Sequence, residues 1–117
     1  MISTFEFSEN IVGILIKTDM DVTSIGEVHD VVLERLKDHE KISLYVEIEA
    51  GVHLSVPAFF KDLVFKYKNS KNFNRIAVVT DLTWFQNIME IKDLLMDAEV
   101  KSFKIKNRLN AINWIAE

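Results

Sequence analysis

Segments with a two-residue apolar period alternate along this chain with segments of helical period, and this alternation restricts the fold more than any other feature of the sequence. Residues 2–7 and 11–16 flank a short turn and predict an antiparallel hairpin. Single helices and strands then follow in turn, which is typical of parallel strands joined by right-handed crossovers. The order ββαβαβαβα predicts an α/β fold: one mixed β-sheet of five strands, the first antiparallel, with four helices.

Local signals mark where the first two helices begin. The first helical pattern covers residues 21–38, with Thr23 or Ser24 as its cap, and Ser24 also opens a capping box. The second helix has Ser55 as its natural N-cap and Pro57 in its first turn, where proline is tolerated. Six apolar residues share one face of the second helix, which we expect to be buried: Val56, Phe59, Phe60, Leu63, Val64 and Tyr67.

The remaining segments complete the predicted order. Residues 42–48 and 73–80 are typical of buried strands, and Thr83 opens another capping box at the start of the third helix. Residues 100–106 supply the last strand, after which Asn107 can cap a short closing helix. No linker rich in proline, glycine or serine interrupts these segments.

Composition limits the class of protein. The 117 residues, 49% of them hydrophobic, suffice for one core, so we expect residues 1–117 to form a single domain. The net charge of −4 argues against nucleic acid as a partner, and the absence of cysteine excludes disulfides and zinc fingers. The N-terminus lacks a leader pattern, and no apolar run approaches the roughly 20 residues that span a bilayer. We therefore expect a soluble, cytoplasmic protein.

The third predicted helix, residues 83–97, has more apolar surface than one packing face requires. One stripe points within about 40° of a single direction, as a core face does: Trp84, Ile88, Ile91, Leu95 and Ala98. A second set lies roughly 100 to 140° away around the helix: Phe85, Met89 and Met96. Core packing or a homodimer contact would cover the second set; contact with an apolar ligand or a membrane is the other interpretation. The contact residues that the second interpretation predicts are Trp84, Phe85, Ile88 and Met89.

Phe65 is a further candidate contact residue. We expect it to lie opposite the buried face of the second helix, between Lys61, Lys66 and Lys68. An exposed aromatic ring beside lysines suits anionic lipid headgroups, although single exposed phenylalanines are also common on protein surfaces. The negative net charge of the chain restricts such attraction to this local patch.

No residue group in the sequence predicts a metal site or a catalytic centre. His29 lies about 40° from the core stripe of the first helix, so we expect a partly buried structural imidazole. His39 and His53 fall in or near loops, without a second ligand at helical spacing. Asp19 and Asp81 lie near the carboxyl edge of the sheet, where ligands bind in open α/β folds, but no general-base partner accompanies them. We expect Asp81 to order the adjacent turn or the first N–H groups of the following helix, and we predict no enzyme activity, metal or cofactor.

The element order, read with particular residues, resembles the STAS superfamily and, more closely, its bacterial SpoIIAA-like branch. The matching segments span nearly the whole chain: Gly13-Ile-Leu-Ile-Lys-Thr-Asp, Asp19 to Thr23, Arg75-Ile-Ala-Val-Val-Thr-Asp-Leu-Thr-Trp84 and Ala111-Ile-Asn-Trp114. The resemblance implies a non-enzymatic switch or docking module. In the best-known type, the anti-sigma factor antagonist, a serine at the start of the helix after the third strand is phosphorylated within an Asp-Ser-Ser-Gly type of motif.

This sequence departs from that motif, because residues 49–57 contain one serine, Ser55, with no aspartate before it. Ser55 as a helix cap and Ser55 as a phosphorylation site are therefore two alternatives. For the SpoIIAA-like branch, the resemblance implies an apolar small molecule or a membrane surface as partner, with the helix after the fourth strand able to swing away. We predict a non-enzymatic binding module of this type; the alternative is a protein-interaction switch regulated by serine phosphorylation.

Overall fold

Five strands form one mixed sheet in the computed structural model, which describes residues 2–8, 10–82 and 98–117. The elements follow in this order: β1 (Ile2–Ser8), β2 (Ile11–Ile16), α1 (Val22–Leu36), β3 (Ile42–Ile48), α2 (Val56–Lys68), β4 (Phe73–Val79), β5 (Glu99–Phe103) and α3 (Arg108–Ala116). Short 3-10 turns precede β4 and α3. The described residues thus contain three of the four predicted helices, and the fourth, at residues 83–97, lies outside them.

The sheet has the predicted strand order and directions. Strand β1 runs antiparallel to β2, and β2, β3, β4 and β5 are parallel neighbours in sequence order. Helix α1 connects β2 to β3 and helix α2 connects β3 to β4, two steps in the same direction across the sheet, so right-handed crossovers place both helices on the same face. Helices α1 and α2 lie together on that face, while α3 packs on the opposite face against β3, β4 and β5. The α/β class and the mixed five-strand sheet are therefore confirmed.

Two apolar clusters fill the two faces of the sheet. Alternate residues of β2, such as Val12 and Ile14, join α1 and α2 in the larger cluster, because side chains of a strand point to opposite faces in turn. The smaller cluster lies beneath α3 and includes Tyr45, Ala77 and Trp114. Strand β3 is buried along its whole length, as expected for a central parallel strand covered on both faces.

Both helix starts on the α1 and α2 face are fixed by side-chain caps. Asp21, and not Thr23 or Ser24 as predicted, caps α1: its carboxylate accepts the backbone N–H of Ser24 at 2.8 Å and the Ser24 hydroxyl at 3.0 Å. An ionised carboxylate at this position also interacts favourably with the helix dipole. Ser55 caps α2 as predicted, because its hydroxyl accepts the N–H of Ala58 at 3.2 Å.

The last strand is shorter than predicted. Strand β5 ends at Phe103, whose carbonyl accepts the N–H of Thr80 at 2.9 Å. Ile105 lies in the following 3-10 turn, and its N–H donates to the carboxylate of Asp81 at 3.0 Å instead of continuing the sheet. Asn107 occupies the N-cap position of α3 without a side-chain hydrogen bond to the helix.

The predicted buried face of α2 is wrong. Of the six residues assigned to it only Phe59 is buried, and four are exposed by 51 to 62%: Val56, Phe60, Val64 and Tyr67. The face turned to the core instead contains Ala58, Asp62 and Phe65. This orientation is stable because the charge of Asp62 is balanced by partners between the two helices. A prediction based only on the positions of apolar residues therefore assigns the wrong face of α2 to the core.

The absence of a side chain at Gly13 in β2 leaves room for the ring of Phe5, which packs against the smaller apolar cluster. Gly13 pairs with Phe5 on β1 and with Tyr45 on β3. A Cβ atom at Gly13 would lie 2.5 Å from Cζ of Phe5, so the ring occupies the space of a side chain there. The ring then meets Tyr45 edge-on, with centroids 5.7 Å apart.

Candidate functional site

A compact ionic cluster lies between α1 and α2. The imidazole Nε2 of His29 lies 2.8 Å from one carboxylate oxygen of Asp62, and the Lys66 ammonium lies 2.7 Å from the other. His29 is buried, and only 12% of the Lys66 side chain is exposed. The cluster joins the two helices across the groove between them, so it acts as a structural pairing of buried charges. The predicted structural role of His29 is confirmed.

Opposing effects set the ionisation of Asp62. Burial raises the pKa of this carboxyl, but the Lys66 ammonium and the hydrogen bond from His29 outweigh the burial and leave its pKa below the usual value. Asp62 is therefore ionised at neutral pH and accepts from both neighbours. A carboxylate held in this way is a poor proton acceptor, which argues against a role as a general base.

Phe65 belongs to this cluster and not to an exposed patch. Its ring stacks on the imidazole of His29, with centroids 3.9 Å apart and planes 3° from parallel. It is partly buried and packs against the larger apolar cluster. The predicted orientation of Phe65 is therefore wrong: the helix turns this residue toward α1, because Asp62 and not the apolar stripe faces the core.

A small apolar cavity lies below the ionic cluster, between the sheet and the two helices. Its volume is about 30 Å³, and its walls include Val28, Leu44 and Phe59, with Asp62 and Lys66 at its polar end. A water molecule needs roughly 10 to 15 Å³ measured in this way, whereas ligand pockets are typically on the order of 300 Å³ or more. The cavity in this conformation thus holds no apolar ligand of useful size.

The outward face of α2 has several large apolar side chains that are exposed among the described residues. Its exposed apolar stripe, named here the α2 stripe, consists of Val56, Phe60, Val64 and Tyr67. These four side chains fall within an arc of about 80° around the helix. Contiguous exposed apolar side chains of this kind are characteristic of contact surfaces.

The carboxyl edge of the sheet, where the sequence placed candidate carboxylates, is held by backbone hydrogen bonds. The carboxylate of Asp19 accepts the N–H of His53 at 2.8 Å, and a β-bridge joins Met20 to Leu54 beside it. Asp81 accepts the N–H of Ile105, as described above. The observed partner of Asp81 thus lies in the turn after β5 and not in the turn that follows Asp81 itself, and the helix predicted to follow it, at residues 83–97, lies outside the described ranges. These carboxylates fix the crossing loops at this edge and lie apart from the ionic cluster.

A second buried polar group, which the sequence interpretation missed, lies under α3. Glu47 on β3 accepts the hydroxyl of Tyr45 at 2.6 Å and two guanidinium N–H groups of Arg108, at 3.1 and 2.5 Å. Burial and the hydrogen bond to Glu47 raise the pKa of Tyr45 above its usual value. The available signal was a glutamate inside an otherwise apolar buried strand, which requires a partner.

At the opposite edge, where the parallel strands begin, a polar cleft of about 400 Å³ contains Arg75. A guanidinium N–H of Arg75 donates to the carbonyl of Trp114 at 2.7 Å, and Nε lies 3.5 Å from the carboxylate of Glu99. The guanidinium carbon also lies 5.0 Å from the centre of the Trp114 ring. Arg75 therefore ties β4 to the last turn of α3.

The described residues also bear on two other kinds of site, a metal centre and a membrane span. Within residues 2–8, 10–82 and 98–117, no group of three or more His, Asp or Glu side chains could hold a metal ion. In the same ranges, no helix is long and apolar enough to cross a membrane. The predicted contact residues Trp84, Phe85, Ile88 and Met89 lie outside these ranges.

The mixed five-strand sheet with helices on both faces defines an α/β domain. The SpoIIAA-like family model matches residues 11–116, so the chain belongs to the SpoIIAA-like family. The resemblance read from the sequence is thereby confirmed.

A solved structure supports the same fold. It is the crystal structure of an uncharacterized protein from the DUF3478 family with a SpoIIAA-like fold, from Shewanella loihica PV-4. The two superpose with a TM-score of 0.70 at 16% sequence identity, over 97% of this chain and 93% of that chain. At this identity the likeness establishes the fold alone. No curated protein matches the sequence at a significant level.

Proposed function

We propose that this SpoIIAA-like domain is a non-enzymatic binding module that works through apolar contacts, holding an apolar small molecule or meeting a membrane surface. The observation that supports it is the α2 stripe, whose side chains are more than half exposed although they are large and apolar. Full burial of such a side chain is worth roughly 1.5 to 3 kcal/mol, so a partner that covers its exposed half can recover about half of that. The proposal includes a cytoplasmic location, with peripheral contact at a membrane.

Four residues outside the described ranges extend the proposed contact surface: Trp84, Phe85, Ile88 and Met89. Their place in the proposal rests on the sequence, which puts more apolar residues at helical spacing there than one packing face needs. Phe65 is not part of the proposed contact surface, because its ring is stacked on His29.

The proposal is tested with a fluorescent hydrophobic probe and with neutral detergent micelles. We expect a variant with Val64→Asp and Tyr67→Asp to keep its far-UV circular dichroism and lose most of the probe binding. The matched control is Leu109→Asp, because Leu109 is 72% exposed but lies on α3, at the opposite face. Equal binding by both variants would refute a contact role for the α2 stripe.

The same assay examines residues 83–97. We expect Phe85→Asp combined with Met89→Asp to retain the fold and to reduce binding further. Native mass spectrometry of freshly purified protein, with an organic extract of the same sample, would identify a retained apolar ligand. A clean homodimer without ligand would assign these residues to self-association instead.

The phosphorylation switch at Ser55 stays the alternative hypothesis. The serine is partly exposed at the N-terminus of α2, and its hydroxyl is used as the helix cap. A phosphate there would keep a favourable interaction with the helix dipole, so modification is compatible with the fold. Phosphopeptide mapping after incubation with cognate kinases decides this point, and an unmodified Ser55 would remove the alternative.

A further inference from the structure

The α2 stripe is bordered by positive charge on one side. Lys68 lies about 40° beyond Val64 around the helix and Lys61 about 60° beyond it, and Lys71 follows in the next turn. All three lysines are exposed and form no ion pair with any described residue. Lys61 donates only to the backbone carbonyl of Val22, at 3.0 Å. The outward side of α2 is therefore both apolar and cationic.

The acidic residues of the neighbouring helix α1 restrict which kind of partner can bind to α2. Helix α1 lies beside α2 on the same face of the sheet, and its exposed residues include Glu27, Asp30 and Glu34. A broad anionic surface laid over both helices would approach these acidic groups as well as the lysines. A narrow partner that lies along α2 brings fewer anionic groups near these acidic residues than a bilayer that covers both helices, so the charge pattern favours an elongated partner over a bilayer.

The spacing of the stripe matches an elongated helical partner. Val56, Phe60 and Val64 are four residues apart and form one continuous ridge, which is the surface that fits the groove of a second helix. Tyr67 extends the same face by one turn. The exposed face of α2, with 13 residues at 1.5 Å per residue, spans about 20 Å, or roughly four turns of a helix.

We propose that the outward face of α2 is a docking site for an amphipathic helix of a protein partner, with acidic residues along one edge of its apolar face. This inference rests on the proposed function in using the α2 stripe as an apolar contact surface, and it goes beyond that function by assigning the stripe to a protein helix instead of a small molecule or a membrane. The partner helix packs its apolar side on Phe60, Val64 and Tyr67. Its acidic edge lies over Lys61 and Lys68, which sets its position and direction.

The test uses a labelled synthetic peptide of about 20 residues, long enough for a stable helix, with leucine at helical-face positions and glutamate along one edge. A second peptide has lysine in place of each glutamate. By fluorescence anisotropy we expect the wild-type protein to bind the acidic peptide at least about tenfold more tightly than the basic one. Lys61→Glu combined with Lys68→Glu should reverse this preference, while the control Lys106→Glu, in the turn before α3, leaves it unchanged.

Three results would overturn the proposal. Equal binding of the two peptides would remove the charge-based recognition, and binding to anionic phosphatidylglycerol vesicles without peptide binding would assign the face to lipid. Both of those results leave the proposed apolar function standing. Unfolding of Val64→Asp, with Val64→Thr also strongly destabilised, would make the α2 stripe part of the folding core and would remove the proposed contact surface itself. The lysine variants test the charge pattern without disturbing apolar packing.

Discussion

The imidazole of His29 on α1 and the carboxylate of Asp62 on α2 meet at 2.8 Å, although 33 residues separate them in the chain. This contact, completed by Lys66, decides which side of α2 faces the core. The same orientation leaves the α2 stripe turned outward, while Phe59 and Phe65 face the core. One polar pairing thereby determines both the packing of two helices and the chemistry of the surface.

Asp62→Asn should lower the free energy of unfolding at pH 7 by about 3 kcal/mol, because it leaves Lys66 buried without its counter-charge. Urea denaturation monitored by circular dichroism measures the loss. A matched change on the exposed side of the neighbouring helix, Asp30→Asn, should alter stability by less than about 0.5 kcal/mol.

The same carboxylate should make the protein acid-sensitive. Because the pKa of Asp62 is lower in the folded state than its ordinary value of 3.8, its contribution is fully present above that value and is lost as the pH falls through the lower folded pKa. Wild-type stability should therefore fall more steeply than that of Asp62→Asn below about pH 4 to 5. Parallel pH profiles of the two proteins would contradict this assignment.

Arg108→Met should destabilise the fold by about 2 kcal/mol, since the buried carboxylate of Glu47 would keep only the Tyr45 hydroxyl as a partner. Arg108→Lys should restore part of this loss, because lysine returns the charge without the paired N–H groups. The double variant with Glu47→Gln completes a thermodynamic cycle. A coupling energy near zero would show that the ion pair does not stabilise α3.

Gly13→Ala should cost about 1 to 3 kcal/mol, because the new methyl group displaces the Phe5 ring from the surface of β2. Combining it with Phe5→Leu should cost less than the sum of the two single changes, since the smaller side chain leaves room for the methyl group. Thermal denaturation of the four proteins measures this coupling. Strict additivity would show that the ring moves away freely.

Ser55→Ala should reduce stability by about 1 kcal/mol through loss of the α2 cap, and Asp21→Ala should have a similar effect on α1. Ser55→Asp should recover most of the loss, because aspartate is an equally good cap. Chemical denaturation of the three variants provides the comparison. Wild-type stability in Ser55→Ala would mean that the hydroxyl does not hold the helix end.

Local patterns were sufficient for the strand order and for the cap at Ser55, because both depend on residues close together in the chain. The orientation of α2 could not be predicted from local patterns. Its apolar residues form a stripe wide enough to pass for a core face, and only the distant His29 reveals that Asp62 and Lys66 lie inside. Glu47, a charged residue in a buried strand, likewise indicated that a partner was needed. The sequence did not show that the partner is Arg108, 61 residues later.

The closing helix α3 is held at both of its ends by arginines. Arg108 in its first turn reaches Glu47 on β3, and Arg75 on β4 donates to the Trp114 carbonyl in its last turn. An isolated helix of nine residues would be marginal in water. With both ends tied to central strands, fraying of either end requires breaking a charged hydrogen bond. The amide protons of this short helix should therefore exchange with solvent only when the whole sheet opens, as those of the innermost strands do.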